Sequence, residues 1–315
     1  MRILFMGTPE FAAVSLQALL RTGYDLVGVV TQPDRPQGRG LELQASEVKK
    51  VALEQHLPLW QPEKVNTTEF ITLFRQLNPD VVVVVAFGQK IPMPILYEPK
   101  FGCINVHGSL LPRYRGAAPI QWTLINGDTT AGVTTMYMDE GWDTGDLIYQ
   151  ATTAVDPDEN FACLYQRLAK LGGELLVKTL ADVEHGVAPR LAQNSAEATT
   201  APKLKPELHR INWNEPAVRI HNLVRALAPT PGAETFWGTE RLKVIKTSLY
   251  DCIPANADVP GKILQVIKRQ GILVATGTQP LLLVQVQPAG KKLMAATDYA
   301  NGRHLVPGMI FGTRA

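Results

Sequence analysis

The run Val81-Val82-Val83-Val84-Val85-Ala86-Phe87 constrains this chain more than any other stretch of it. It is far shorter than the roughly 18 apolar residues that would cross a membrane. It also lacks the alternate polar positions of a strand with one face in water. Residues 80–87 therefore read as a strand buried on both faces. Such a strand needs helices above and below its sheet, and so an alternation of strands and helices along the chain.

The first half has that alternation. Residues 2–6 read as a strand, and 10–21 as a helix with Phe11, Val14, Leu16, Ala18 and Leu19 on its apolar face. Thr8 is the expected N-cap, Pro9 the first helical residue and Gly23 the stop. Residues 26–31 follow as a strand ended by Pro33, then a helix over 66–77. Residues 102–106 and 132–138 read as further strands, with 146–152 returning beside the second as a hairpin partner. From Phe161 to about His185 runs a long helix whose Leu164, Leu168, Leu171, Leu175 and Leu176 form a packing stripe. The expected class is α/β, a mostly parallel, Rossmann-like sheet with helices on both faces.

Regularity stops over 189–207, where Gln, Asn, Ser, Thr, Ala and Pro dominate and an extended linker is expected. A helix near 215–227 follows, then strand-like runs at 233–237, 242–249, 261–267, 272–276 and 281–286, parted by turn residues. These suit a small antiparallel β-barrel of the OB-like kind. The division predicted is a catalytic domain over 1–189, a linker over 190–207 and a second domain over 208–315. A length of 315 residues, 45% of them hydrophobic and 19% charged, suits two globular domains. The start, Met1-Arg2-Ile3-Leu4-Phe5-Met6-Gly7, enters a strand directly and resembles no export or organelle leader, so the chain is expected to stay in the cytoplasm. Cys103, Cys163 and Cys252 are too far apart in sequence to form a metal cluster and are expected as buried filling in a reducing compartment.

A formal net charge of +2 hides a division. Residues 1–202 carry 16 Lys/Arg against 22 Asp/Glu, a balance of −6, while residues 203–315 carry 15 against 7, a balance of +8. An evenly solvated surface is one reading. The other is that the basic half meets a polyanion.

Gly7-Thr8-Pro9-Glu10-Phe11 follows the first strand, where a dinucleotide-binding fold keeps three glycines against a pyrophosphate. Only Gly7 is present, and Glu10 adds negative charge where a phosphate would lie, so NAD is not expected. The loop over 34–43, Asp-Arg-Pro-Gln-Gly-Arg-Gly-Leu-Glu-Leu, is long for its place and composed for mobility, as ligand-meeting loops are.

The segment from Asn105 to Gly116 carries most of the chemical information. Asn105 and His107, two apart at a strand's end, can point to one face, and Gly108 permits close approach. If the 132–138 strand is a neighbour, Asp143 in Asp139-Glu140-Gly141-Trp142-Asp143 can reach the imidazole. Spacing alone leaves two readings open: a site, or a turn asparagine, a core histidine and loop-capping aspartates. Ser109 lacks G-x-S-x-G surroundings, and no His/Cys/Asp spacing suggests zinc, so no metal is expected.

These residues, together with Val29-Val30-Thr31-Gln32-Pro33-Asp34, Val84-Val85-Ala86-Phe87-Gly88, Ala201-Pro202-Lys203-Leu204 and Gln287-Pro288-Ala289-Gly290-Lys291-Lys292, resemble the signature of the folate-dependent formyltransferases over essentially the whole chain. The 34–43 loop and basic second half are similar to the branch that formylates a charged transfer RNA. The resemblance implies 10-formyltetrahydrofolate as formyl donor, without metal, and methionyl initiator tRNA as partner. A bacterial cytoplasmic monomer, away from membranes, is expected. It implies Asn105, His107 and Asp143 as the catalytic trio. Folate would meet Phe87, Gly88, Gln89, Ile91, Ser109, Leu110, Leu111, Pro112, Asp139, Gly141 and Trp142. The tRNA would meet Arg35, Arg39, Lys203, Lys205, Lys291 and Lys292. One departure is Leu41-Glu42, where such enzymes usually place two lysines, which removes positive charge from the loop. Tyr114 stands where tryptophan is also common. Rival readings are a formyltransferase for a small amine, which would need neither the loop nor the basic domain, and an RNA-binding protein that has lost its chemistry.

Overall fold

A computed structural model of the chain describes residues 1–37, 42–250 and 259–312, so Arg39, Leu41 and Cys252 lie outside the described residues. Along the chain run β1 (Arg2–Gly7), α1 (Glu10–Leu20), β2 (Asp25–Val30), β3 (Arg35–Gln37), β4 (Glu42–Gln44), α2 (Glu47–Glu54), β5 (Leu59–Trp60) and α3 (Thr68–Leu77). Then come β6 (Val81–Val85), α4 (Met93–Tyr97), β7 (Cys103–His107), α5 (Pro119–Ile125), β8 (Thr130–Tyr137), β9 (Leu147–Ala154) and α6 (Phe161–Glu184). Contacts divide the chain into one unit of Met1–Pro119, Thr130–Thr153 and Tyr165–Ala201, and another of Ile120–Thr129, Ala154–Leu164 and Pro202–Ala315.

The first unit is built on a sheet in the order β5-β2-β1-β6-β7-β8-β9. Its strands β1, β2, β5, β6 and β7 pair in parallel, and β8 joins β7 antiparallel. All of β6 is buried, as its unbroken valines require. Leu4, Met6, Val82 and Val84 pack on Phe70, Phe74, Ile95 and Leu96 of α3 and α4. Alternate strand residues point to the opposite face, which α1 and α6 cover. There Phe11 meets Tyr165 edge-on, with ring centroids 5.6 Å apart. Leu164, Leu168 and Leu176 of the α6 stripe are fully buried.

Two local expectations fail. Pro9, not Thr8, occupies the N-cap of α1. The Thr8 hydroxyl instead donates to the Phe87 carbonyl at 3.2 Å and accepts from the Gln32 amide at 3.4 Å, facing the strand exits rather than the helix end. Within the loop after β2, β3 and β4 pair antiparallel. Asp34 anchors its base, accepting from Lys49 Nζ at 2.6 Å and Gln61 Nε2 at 2.8 Å. These hydrogen bonds, the lysine's first, hold the Asp34 carboxyl below the usual carboxylate range. Cys103 is buried as expected, whereas Cys163 is exposed.

From β1 the chain moves outward to β2 and β5, and from β6 the other way to β7. The crevice between β1 and β6 is therefore the switch point at which such sheets bind ligands, beyond the carboxyl ends of the strands. Gly7 pairs with Val85 and Val84 with Asn105, which brings the exits of β1, β6 and β7 level.

The second unit holds α7 (Ala217–Leu227), β10 (Ala233–Trp237), β11 (Glu240–Leu249), β12 (Ile263–Ile267), β13 (Gly271–Val274), β14 (Leu281–Pro288), β15 (Met294–Ala295) and α8 (Ala296–Gly302). The strands form an antiparallel sheet in the order β10-β11-β14-β13-β12. Gly312 pairs with Phe236 on one edge and Ile310 with Lys262 beside the other, so the end of the chain joins the two edges into a barrel. Ile220, Val224 and Leu227 of α7 fill its core with Leu242, Val244, Ile272, Leu283 and Phe311. The unit also takes in 120–129 and 154–164. Arg225 donates to the carbonyls of Leu124 at 3.3 Å and Asp156 at 3.4 Å. His221 donates from Nε2 to the Pro157 carbonyl at 3.1 Å and pairs through Nδ1 with the Thr247 hydroxyl at 2.9 Å.

Candidate active site

Asn105 and His107 stand two residues apart on β7, opposite Met136 and Thr134 of β8. The Asn105 Oδ1 atom is buried and meets no hydrogen-bond partner. Buried polar atoms are nearly always paired, and one left alone costs about 1–3 kcal/mol. A side-chain amide carries an acceptor at one end and two donors at the other. A half-turn about χ2 exchanges them, so this place fits a ligand that presents either a carbonyl or an N–H.

His107 is buried, and its Nε2 lies 2.9 Å from the carbonyl oxygen of Tyr114. A carbonyl only accepts, so Nε2 carries a hydrogen, and in the neutral ring Nδ1 is then the acceptor. Nδ1 faces Asp143 Oδ1 at 3.7 Å, while Asp143 Oδ2 accepts from the Gly116 amide at 2.8 Å. The turn from Tyr114 to Gly116 thus holds both partners, Tyr114 by its carbonyl and Gly116 by its N–H. At Gly116 φ is +126°, and a Cβ would lie 2.7 Å from the Ala201 carbonyl oxygen, so no larger residue fits there.

Asp143 reaches His107 by an unforeseen route. The antiparallel register sets Tyr137 beside Ile104, so β8 leaves the sheet at the start of β7, and the loop over 138–146 must fold back to bring Asp143 to the strand's end. Tyr137 N donates to Asp146 O at 2.9 Å and closes the base of that loop. Asp139 Oδ1 accepts from Gly141 N at 2.9 Å and Thr144 Oγ1 at 2.7 Å. A Cβ on Gly145 would collide with the Tyr137 carbonyl oxygen. Asp143 and Tyr114 both hold left-handed backbones, φ 53° and 63°, a strain that clusters at functional sites.

The other site residues expected from sequence divide by what their side chains do. Phe87 and Ile91 pack in the core, and the Phe87 carbonyl accepts from Thr8 and Gln32. Gln89 accepts from the Val65 amide at 3.0 Å and donates to the Pro62 carbonyl at 3.3 Å. Ser109 donates to the Arg113 carbonyl at 2.7 Å, and the Leu111 amide donates to Thr134 at 3.1 Å. Gly88 is exposed at the exit of β6, and Trp142 stands 73% exposed beside Asp143. Arg35 is held by Glu63 at 2.7 Å. Lys203, Lys205, Lys291 and Lys292 are exposed. Sequence reasoning missed Gly116, the Tyr114 carbonyl and the strap over 191–201. In that strap the Thr199 hydroxyl accepts from Tyr114 N at 2.9 Å. Among the described residues no cluster of His, Cys, Asp and Glu could hold a metal, and no helix is long and apolar enough to cross a membrane.

An amide beside an imidazole–carboxylate pair, one strand from the switch point of a doubly wound sheet, belongs to the class of arrangement that group transfer can use to polarise a carbonyl and take up a proton. Comparison with known proteins narrows that class. The formyl transferase family matches residues 1–180, and the formyl transferase C-terminal domain matches 203–304. The chain is 47% identical to the methionyl-tRNA formyltransferase of Clostridioides difficile over 99% of its own length and 100% of that protein's. It is 44% identical to the enzyme of that name from Desulforamulus reducens, over 99% and 98%. Among solved structures, the sugar 3N-formyl transferase WlaRD, determined in the presence of dTDP and 5-N-formyl-THF, shares the fold with a TM-score of 0.67 at 19% identity, over 93% of this chain and 99% of that one. The methionyl-tRNA formyltransferase of Clostridium thermocellum aligns with a TM-score of 0.54 at 18% identity, over 80% and 94%. The chain belongs to the methionyl-tRNA formyltransferase family of formyl transferases.

Proposed function

We propose that this protein transfers the formyl group of 10-formyltetrahydrofolate to the free α-amine of methionyl initiator tRNA, with Asn105, His107 and Asp143 as its catalytic residues. Alignment over nearly the whole chain, at 44–47% identity, to methionyl-tRNA formyltransferases supports the reaction. The hydrogen bond from His107 Nε2 to the Tyr114 carbonyl carries the chemistry, because it fixes which ring nitrogen is left to act.

The folate donor supplies the activated formyl group. Its orphaned Oδ1 recommends Asn105 as the group that meets the reacting carbon's substituents. In the half-turned amide, Nδ2 donates to the formyl oxygen as negative charge develops there. The attacking α-amine has a pKa of roughly 7.7–8.0, so part of it is neutral near pH 7 and the protein need only place it and receive its proton. His107 Nδ1 and Asp143 Oδ1 face each other 3.7 Å apart as two acceptors, and one proton between them turns that opposition into attraction. The pair is thus built to accept the amine's proton and to return it to the departing folate nitrogen. Ser109, Leu110, Leu111 and Pro112, with Gly88, Gln89, Asp139, Gly141 and Trp142 and the backbone of Phe87 and Ile91, would shape the folate's walls. No covalent link to the protein is needed.

The family matches over 1–180 and 203–304 support a catalytic part over 1–189 and an RNA-binding part over 208–315, joined by 190–207. Lys203, Lys205, Lys291 and Lys292 would bind phosphates, with Arg35 and Arg39 nearer the acceptor end. We take the enzyme to be a cytoplasmic monomer. The test is incubation with 10-formyltetrahydrofolate and methionyl initiator tRNA. The expected product is N-formylmethionine still esterified to the tRNA. Formylation of an amino sugar nucleotide with none on the tRNA would overturn the reading.

A further inference from the structure

We infer that Gln193, on the strap leading out of the first unit, is a positioning residue that sets Asp143 against His107. The inference rests on the roles proposed above for that pair. Gln193 Nε2 donates to the carbonyls of Asp143 at 2.9 Å and Gly145 at 2.7 Å. Its Oε1 accepts from Arg115 Nε at 3.1 Å and Nη2 at 2.8 Å. Arg115 lies between Tyr114, whose carbonyl fixes the imidazole tautomer, and Gly116, whose amide holds the Asp143 carboxylate. Gln193, through the Arg115 side chain, therefore joins the loop that carries Asp143 to the turn whose backbone hydrogen-bonds both members of the dyad.

The arrangement asks for such a tie. Asp143 holds a left-handed φ of 53°, and the loop bearing it must fold back along β7 to reach its partner. Hydrogen bonds inside the loop, from Gly141 and Thr144 to Asp139, close it on itself on either side of Asp143, while Gln193 ties the Asp143 and Gly145 carbonyls to a point outside the loop. The strap is itself anchored on both sides of Gln193. Leu191 and Leu147 exchange backbone hydrogen bonds at 2.8 and 3.0 Å, and Thr199 and Ala201 bond to Arg115 at 2.8 and 2.7 Å. A displacement of about 1 Å at a reacting group can cost on the order of a hundredfold in rate, so a lost tie here should be read in turnover.

The test uses the full chain with Gln193→Ala and Gln193→Glu. The glutamate keeps the volume and the acceptor for Arg115 but sets an oxygen against two carbonyls, so it serves where the alanine variant folds poorly. Both should lower kcat by about ten- to a hundredfold while each KM stays within about twofold. Both should also move the ring ¹⁵N chemical shifts of His107 in histidine-labelled protein, with the melting temperature of the glutamate variant close to wild type. Wild-type kcat, or unmoved His107 shifts, in the folded glutamate variant would overturn the inference. Asp143→Ala, assayed beside them, separates the two ideas. If that variant keeps full turnover, the reading of the dyad fails. If it loses turnover and the Gln193 variants do not, only the positioning role fails.

Discussion

Asn105 is the middle residue of β7, where the other four residues are buried, and its amide oxygen is left without a donor in the free protein. Such an atom is a liability to folding of about 1–3 kcal/mol that substrate can relieve. Activity and stability should therefore move apart on substitution. Asn105→Ala is expected to lose roughly 3–4 kcal/mol of transition-state stabilisation, about a hundred- to a thousandfold in turnover. Its melting temperature should stay level or rise. Steady-state kinetics and thermal unfolding check both halves, and a loss below about fivefold in a folded protein would remove Asn105 from the chemistry.

At the scale of elements, much was legible because it is local. The valine run predicts a doubly buried strand, and β6 is one. The leucine stripe predicts the inner face of α6, and alternation predicts most of the barrel strands. Contacts between distant segments left no such trace. The Thr8 hydroxyl could cap a helix by its position, but it turns to the Gln32 amide, from which it accepts, and to the Phe87 carbonyl 79 residues away. Gln193 lies in a stretch with no periodicity, and its partner at Asp143 is 50 residues off. The Asn105-x-His107 spacing was readable, yet the tautomer depends on the Tyr114 carbonyl, which no pattern of side chains announces. Helix α7 carries a testable case of the same kind in His221, whose ring bonds span Thr247 and Pro157. Burial pushes this imidazole below its ordinary value, and Arg225 adds to that effect. The Pro157 carbonyl and Asp158 oppose it. In the unfolded chain the ring titrates near ~6.5, so the unfolded state binds the proton more readily below that pH. The stability this neutral histidine contributes is present above about 6.5 and is lost as pH falls toward the folded value. Between about pH 7.5 and 5.5 the melting temperature of wild type should drop more than that of His221→Gln. Equal drops would show that another group governs the slope.

For the whole molecule, charge decides how a small enzyme holds a large polyanion. The balance of +8 over 203–315, against −6 over 1–202, is why the second half is the one proposed to hold the tRNA. The structure sharpens the division. Arg35 in the early loop is paired at the surface with Glu63, and the sequence there has Leu41-Glu42 in place of further cations. Lys203, Lys205, Lys291 and Lys292 have no acidic partner among the described residues. Each phosphate contact adds roughly 0.7–0.9 to the slope of log affinity against log salt, because each releases condensed counterions. Four such contacts would raise the KM for charged tRNA on the order of a hundredfold over a fourfold increase in salt. The KM for the folate should barely move, since the groups proposed to meet it are mostly uncharged. Replacing one of the four lysines with alanine should lower the slope by about one and weaken binding of initiator and elongator tRNA alike, as phosphate contacts carry no sequence information. Titrating KM against salt for wild type and the four single variants measures each share. A lysine whose removal leaves the slope unchanged does not touch the RNA, and a flat profile for all would return the basic half to being a solvated surface.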